Sequence, residues 1–184
     1  MSIVDAFIKT IAVFDALKDE KIIEDYALIG GLALSAWVRP RTTRDVDLAV
    51  IISKQLKWPD LISIMETRFH KRISIHKATP RATIKEKFSF ISGHFQVDII
   101  GTGDFNLAAE AIKNAVVAEV FDKKIKVATP EYLILLKLLP LSNQDTLDIN
   151  MLAKKADMGI VRNLAQKHFL LPKLESVQSI RSKK

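Results

Sequence analysis

The 184-residue chain contains no cysteine. Disulfides, thiolate nucleophiles and cysteine-based zinc sites are therefore excluded, and a cytoplasmic location is the expectation. Long apolar runs are missing too: nothing approaches the roughly 20 residues needed to span a bilayer. The amino terminus carries Asp5 inside its apolar stretch and lacks the basic-then-apolar pattern of a secretory leader, so a soluble protein with no membrane partner is expected. The four histidines show no ligand spacing, no Gly-Lys-Ser/Thr phosphate loop occurs, and Gly101-Thr-Gly103 lacks the third glycine of a dinucleotide loop. Ser35 and Ser89 have no nucleophile setting.

What is present is basic charge, +7 overall, which favours an anionic partner because clustered lysine and arginine displace counterions from phosphates. Arg68, Lys71, Arg72, Lys77, Arg81, Lys85 and Lys87 stand against Glu86 alone, and a second basic region runs from Lys154 to Lys184. The alternative reading of both tracts is a solvated surface that keeps the protein dispersed. Apolar residues at 48% and charged residues at 27% are those of a globular chain about one domain long.

Ile3, Val4, Phe7, Ile8, Ile11, Phe14 and Leu17 recur at helical spacing and predict a first helix over 3–19. Tyr26 to Gly30 reads as a buried strand turning abruptly at Gly30-Gly31, followed by a short helix that stops before Pro40. Asp45 to Ile52 is a strand, and a helix follows Pro59 to about Arg68. Phe88 to Ser92 and His94 to Ile100 pair as a hairpin through Gly93. Asp104 is placed to cap a helix, and Val116 to Val127 reverses at Asp122-Lys123-Lys124. Thr129-Pro130-Glu131 opens a helix that ends near Pro140, with Thr129 as its cap. Helices over about 144–156 and 160–170 precede a polar tail. The expected fold is α/β (α+β), a mixed sheet flanked by helices, with a core over residues 1–128 and a C-terminal helical segment over 129–184 packed on it.

Chemistry gathers at three places. The Gly30-Gly31 turn is either structural punctuation or a phosphate seat, since a helix that follows a glycine bend points free N–H groups outward. Asp45 and Asp47 lie two apart on a strand, so their carboxylates project from one side while Val46 and Leu48 enter the other. They are either solvated acids at a strand end or a site for magnesium, which takes a few carboxylates supplemented by waters and phosphates. Asp98, flanked by Val97, Ile99 and Ile100, would be costly to bury unpaired; if its strand lies beside that of Asp45, three acids converge. Two can then hold metal while the third draws a proton from an attacking hydroxyl.

Leu28-Ile-Gly-Gly followed by Arg44-Asp-Val-Asp-Leu, with the later Asp98, resembles the signature of the DNA polymerase β-like nucleotidyltransferases over residues 26–100. The resemblance implies phosphate contacts from Gly30 and Gly31, and Mg2+ or Mn2+ at Asp45, Asp47 and Asp98, with Asp98 also activating the acceptor. Gly31 departs from the serine many relatives carry. A narrower likeness takes in Arg41-Thr-Thr-Arg44-Asp-Val-Asp, Ala128-Thr-Pro-Glu-Tyr-Leu, Lys137 and Asp145-x-x-Asp148, and is similar to the AbiEii/AbiGii-type toxin nucleotidyltransferases. It implies that Lys137 and either Asp145 or Asp148 join the site.

Lys137 itself either snorkels from an apolar helix or meets triphosphate as a point charge. Arg41 and Arg44 meet phosphate or pair with carboxylates. The function this implies is transfer of a nucleotide from a nucleoside triphosphate to a hydroxyl acceptor, with tRNA as acceptor and an antitoxin as partner in toxin-type relatives. The alternatives are an aminoglycoside-like small-molecule acceptor and a non-catalytic binding or regulatory module.

Overall fold

A computed structural model of the chain describes residues 2–38, 42–77, 86–102 and 106–181. Arg41, Arg81, Lys85 and the capping position Asp104 lie outside the described residues.

Helix α1, Ile3–Asp19, begins at a capping box between Ser2 and Asp5, and buries Phe7, Ile11, Phe14 and Leu17 at the expected spacing. Strand β1, Ile23–Ile29, runs into the short helix α2, Gly30–Leu34. Strand β2, Asp45–Ile52, is followed by helix α3, Trp58–Phe69, with proline in its first turn, and by the short strand β3, Ser74–Lys77. The hairpin of β4, Glu86–Ser92, and β5, Phe95–Gly101, turns at Gly93 as the sequence predicts. Helix α4, Asn106–Lys113, leads to a second hairpin, β6 Val116–Val120 and β7 Lys123–Val127. Helices α5 Pro130–Lys137, α6 Asn143–Leu152, α7 Met158–Lys167 and α8 Leu171–Arg181 follow.

Two expectations are corrected. The polar tail is helix α8, which buries Leu174 and Val177 beside Leu170. Thr129 occupies the cap position of α5 with extended backbone, yet its hydroxyl makes no capping hydrogen bond.

The strands form one mixed sheet in the order β3-β4-β5-β2-β1-β7-β6. β2 runs antiparallel to β1 and parallel to β5. Alternation sends Tyr26 and Leu28 to the same face as Val50 and Leu48, their partners on β2, and Val97 and Ile99 join them from β5. Helices close that face: Phe14 of α1 meets Tyr26 at 5.5 Å, while Trp58 and Phe69 of α3 meet Phe88 and Phe90 at 5.1 and 4.4 Å. The opposite face therefore receives Asp45, Asp47 and Asp98. Parallel pairing of β7 with β1 starts α5 beside the end of β1, where Trp37 Nε1 donates to the Ala128 carbonyl at 2.9 Å. That end of the sheet is where the acids sit.

Candidate active site

The register decides the geometry of the acids. Asp47 is the direct partner of Asp98 across the β2–β5 pairing, and Asp45 pairs with Gln96 one step away. Since direct partners share a face, Asp45, Asp47 and Asp98 emerge from one side of the sheet on adjacent strands. On the other flank Asp47 is paired with Ile29, the last residue of β1, so the glycine bend lies beside its carboxylate.

Gly30 has φ +67, a left-handed conformation open to glycine at no steric cost. Its missing side chain is filled by Asp47, whose Oδ2 would lie 2.0 Å from any added Cβ. The Gly31 N–H donates to the same carboxylate. Even so, burial first, and then the charges of Asp98 and Asp45, push Asp47 up to about 7 against a downward pull from Lys87 and Gly31. A cation would relieve that repulsion.

A cleft of about 880 Å³ opens above this pair, lined by the glycine bend, Thr42, Thr43, Arg44, Asp45 and Asp47 from one side. The other wall is α5 and α6, with Leu133, Leu136, Lys137, Gln144 and Asp145. Lys137 is 8% exposed, and its ammonium lies 2.6 Å from Asp148 Oδ2 and 3.2 Å from Asp145 Oδ1. Asp148 is fully buried and also receives Gln144 Nε2 at 2.9 Å. Asp145 also completes the capping box of α6, accepting through Oδ2 from the N–H of the cap residue Ser142. The structure thus separates the two candidate acids: Asp145 faces the cleft, and Asp148 lies inside, holding Lys137. Lys137 does not snorkel outward; it is a buried, doubly paired charge at the cleft wall.

Asp98 meets Asp47 across the strands without lining the cleft. Its Oδ2 carries the Lys87 ammonium at 2.7 Å, and its Oδ1 accepts from Ser89 Oγ at 2.5 Å and Gln96 Nε2 at 2.8 Å. Burial raises its pKa, but these three donors outweigh burial and hold it below the ordinary carboxylate value. Among the described residues no group of three or more His, Asp or Glu side chains is arranged to hold a metal. The Asp45–Asp47 pair nevertheless fits magnesium, which commonly takes one or two carboxylates and completes its shell with water and phosphate. Arg44 is exposed at the cleft rim, and Arg41 lies outside the described residues.

Lys87, which lines the cleft and pairs with Asp98, was missed in the sequence, absorbed there into a run of surface charge. The signal was present: in β4, Phe88 and Phe90 take the core face, so Lys87 and Ser89 must take the face of Asp98. Gln144 was missed because its position depends on how α6 docks on α5.

Comparison with known proteins decides the family. Residues 12–171 match the family model described as nucleotidyl transferase AbiEii toxin, type IV TA system. The chain belongs to the AbiEii nucleotidyltransferase toxin family. Membership implies nucleotidyl transfer, a nucleoside triphosphate substrate and an antitoxin counterpart. No curated protein sequence matches the chain.

Among solved structures, the antibiotic-resistance factor ANT(2'')-Ia superposes with a TM-score of 0.57 at 14% identity, over 98% of this chain and 95% of that one. The same enzyme in complex with adenylyl-2''-tobramycin gives 0.58 at 13%, over 92% and 99%. A nucleotidyltransferase-like antigen from Paracoccidioides brasiliensis gives 0.53 at 19%, over 92% and 90%. These likenesses establish the minimal nucleotidyltransferase fold. No helix among the described residues is long and apolar enough to cross a membrane.

Proposed function

We propose that this family member transfers a nucleoside monophosphate from a nucleoside triphosphate to a hydroxyl of RNA, with tRNA as the acceptor class, in a reaction that depends on Mg2+ or Mn2+. The observation that carries the reading is the pairing of Asp47 with Asp98, beside Asp45 and the Gly30–Gly31 bend, in a cleft whose far wall presents Lys137. Asp45 and Asp47, joined by Asp98, would hold the metal, which when bound would neutralise triphosphate charge and polarise the α-phosphate. Lys137, fixed by Asp145 and Asp148, offers a positioned point charge for the phosphates. Leu133 and Leu136 give the nucleotide an apolar wall.

In the reaction the acceptor oxygen bonds to the α-phosphorus as the bond to the β-phosphate oxygen breaks. Pyrophosphate leaves, and the hydroxyl proton passes to the carboxylate of Asp98. Such chemistry needs alignment and charge neutralisation more than a covalent intermediate, so carboxylates and cations suffice.

The net charge of +7 supports a polyanionic acceptor over a polycationic drug. The test is incubation of the protein with each labelled nucleoside triphosphate and Mg2+, offered total RNA or a panel of aminoglycosides. Label on RNA supports the proposal, and label on an aminoglycoside alone replaces the acceptor. Label on neither, with no triphosphate binding by calorimetry, leaves a non-catalytic module.

A further inference from the structure

Lys87 stands between the third acid and the cleft. By register it is the partner of Ile100, diagonal to Asp98, and its side chain is 39% exposed where that of Asp98 is 7% exposed. Its ammonium reaches Asp98 Oδ2 at 2.7 Å, and Lys87 lines the cleft while Asp98 does not. The other carboxylate oxygen is saturated by Ser89 and Gln96. The oxygen held by Lys87 is therefore the one through which Asp98 can act on anything in the cleft.

A partly exposed lysine on a flexible four-carbon stem is a counter-ion that can leave. Ser89 and Gln96 meanwhile fix the carboxylate in place without it. Two of the donors to Asp98, Ser89 and Gln96, thus share one oxygen, and the third, Lys87, is a partly exposed side chain on the other.

We infer that Lys87 is a positioning residue that serves as a displaceable resident cation, competing with the divalent metal for Asp98. This inference rests on the metal-dependent reading of the site. While Lys87 holds Asp98, that carboxylate cannot join Asp45 and Asp47 around a metal, and the metal is held the more weakly. When metal and triphosphate enter together, the ammonium would exchange the carboxylate for phosphate in the cleft that Lys87 lines. Metal bound without nucleotide is thereby disfavoured, and the two substrates are made to load as a pair. Coupling of this kind is reciprocal, so whatever frees Lys87 also tightens the metal.

The test uses the whole protein and Mn2+ alone, titrated by electron paramagnetic resonance without nucleotide, so it does not depend on turnover. Lys87→Met, which keeps the length of the side chain and removes its charge, is expected to bind Mn2+ about tenfold more tightly than wild type. Lys87→Arg restores wild-type affinity. Lys71→Met, which removes one exposed positive charge outside the cleft, stays within about twofold of wild type. Equal affinity in wild type and Lys87→Met, with binding abolished by Asp47→Asn, overturns the inference and leaves the metal site standing. The same gain from Lys71→Met also overturns it, since the effect is then one of net charge. Absence of Mn2+ binding from wild type and Lys87→Met alike overturns both the inference and the metal-dependent reading.

Discussion

Gly30 and Asp47 occupy one space: the carboxylate Oδ2 of Asp47 sits 2.0 Å from where a side chain on Gly30 would begin. The bend and the acid are thus a single fitted unit. Gly30→Ala is expected to destabilise the protein by roughly 2 kcal/mol or more, from the left-handed backbone together with the clash. It should also abolish nucleotide transfer, because Asp47 must move. Urea unfolding and a transfer assay check both; an alanine variant with wild-type stability would show that Asp47 does not fill this space.

Asp47→Asn should stabilise the metal-free protein while eliminating catalysis. With its folded pKa raised from 3.8 to about 7, Asp47 binds more protons folded than unfolded. The stability it contributes is complete below pH 3.8, falls as pH rises, and is lost above about 7. The advantage of Asn is therefore smallest near pH 4 and largest at pH 8, on the order of 2 kcal/mol once access of water at the cleft is allowed for. Melts in EDTA at the two pH values measure it; an advantage that shrinks with rising pH contradicts this arrangement.

Lys137→Met should be severe. It strips the buried Asp148 of its ammonium, and breaking a buried pair from one side costs about 3–5 kcal/mol. The double change Lys137→Met, Asp148→Leu should recover much of that stability without recovering activity. Denaturant titration of the single and double variants checks the pairing. Failure of the second change to restore any stability would mean that the charge on Asp148 is not the cause.

Leu174→Ala in α8 should cost about 2–4 kcal/mol, as for other fully enclosed leucines. Lys173 on the same helix donates to the Leu138 and Leu139 carbonyls at 2.9 and 2.7 Å, beyond the end of α5. α8 thereby steadies the helix that carries Lys137. Thermal melts with a transfer assay test this: a loss of stability under 0.5 kcal/mol, within the range of ordinary surface substitutions, would mean that α8 is dispensable.

Much of this was legible wherever one face of an element is buried, because periodicity then records the fold. The apolar stripe of α1 and the alternation Val46, Leu48, Val50 against Asp45 and Asp47 are of that kind. Strand β3 was not legible: it has four residues, and its one large apolar side chain, Ile75, is 59% exposed. Helix α8 was missed although Leu170, Leu174 and Val177 keep helical spacing, because polar residues outnumber them. The convergence of Asp45, Asp47 and Asp98 followed from parity once β2 and β5 were neighbours, but adjacency of distant strands is a tertiary fact. The choice between Asp145 and Asp148 was out of reach for the same reason, since both lie on one face of α6 and only docking against α5 tells them apart.

Parallel pairing of β2 with β5 cannot be closed by a tight turn, and here everything from α3 to β4 intervenes before the strands meet. The cleft then waits for α5 and α6 to supply Lys137 and Asp145. The cleft is consequently assembled late in synthesis: its walls are complete when residues near 30, 45, 87, 137 and 145 have all been made.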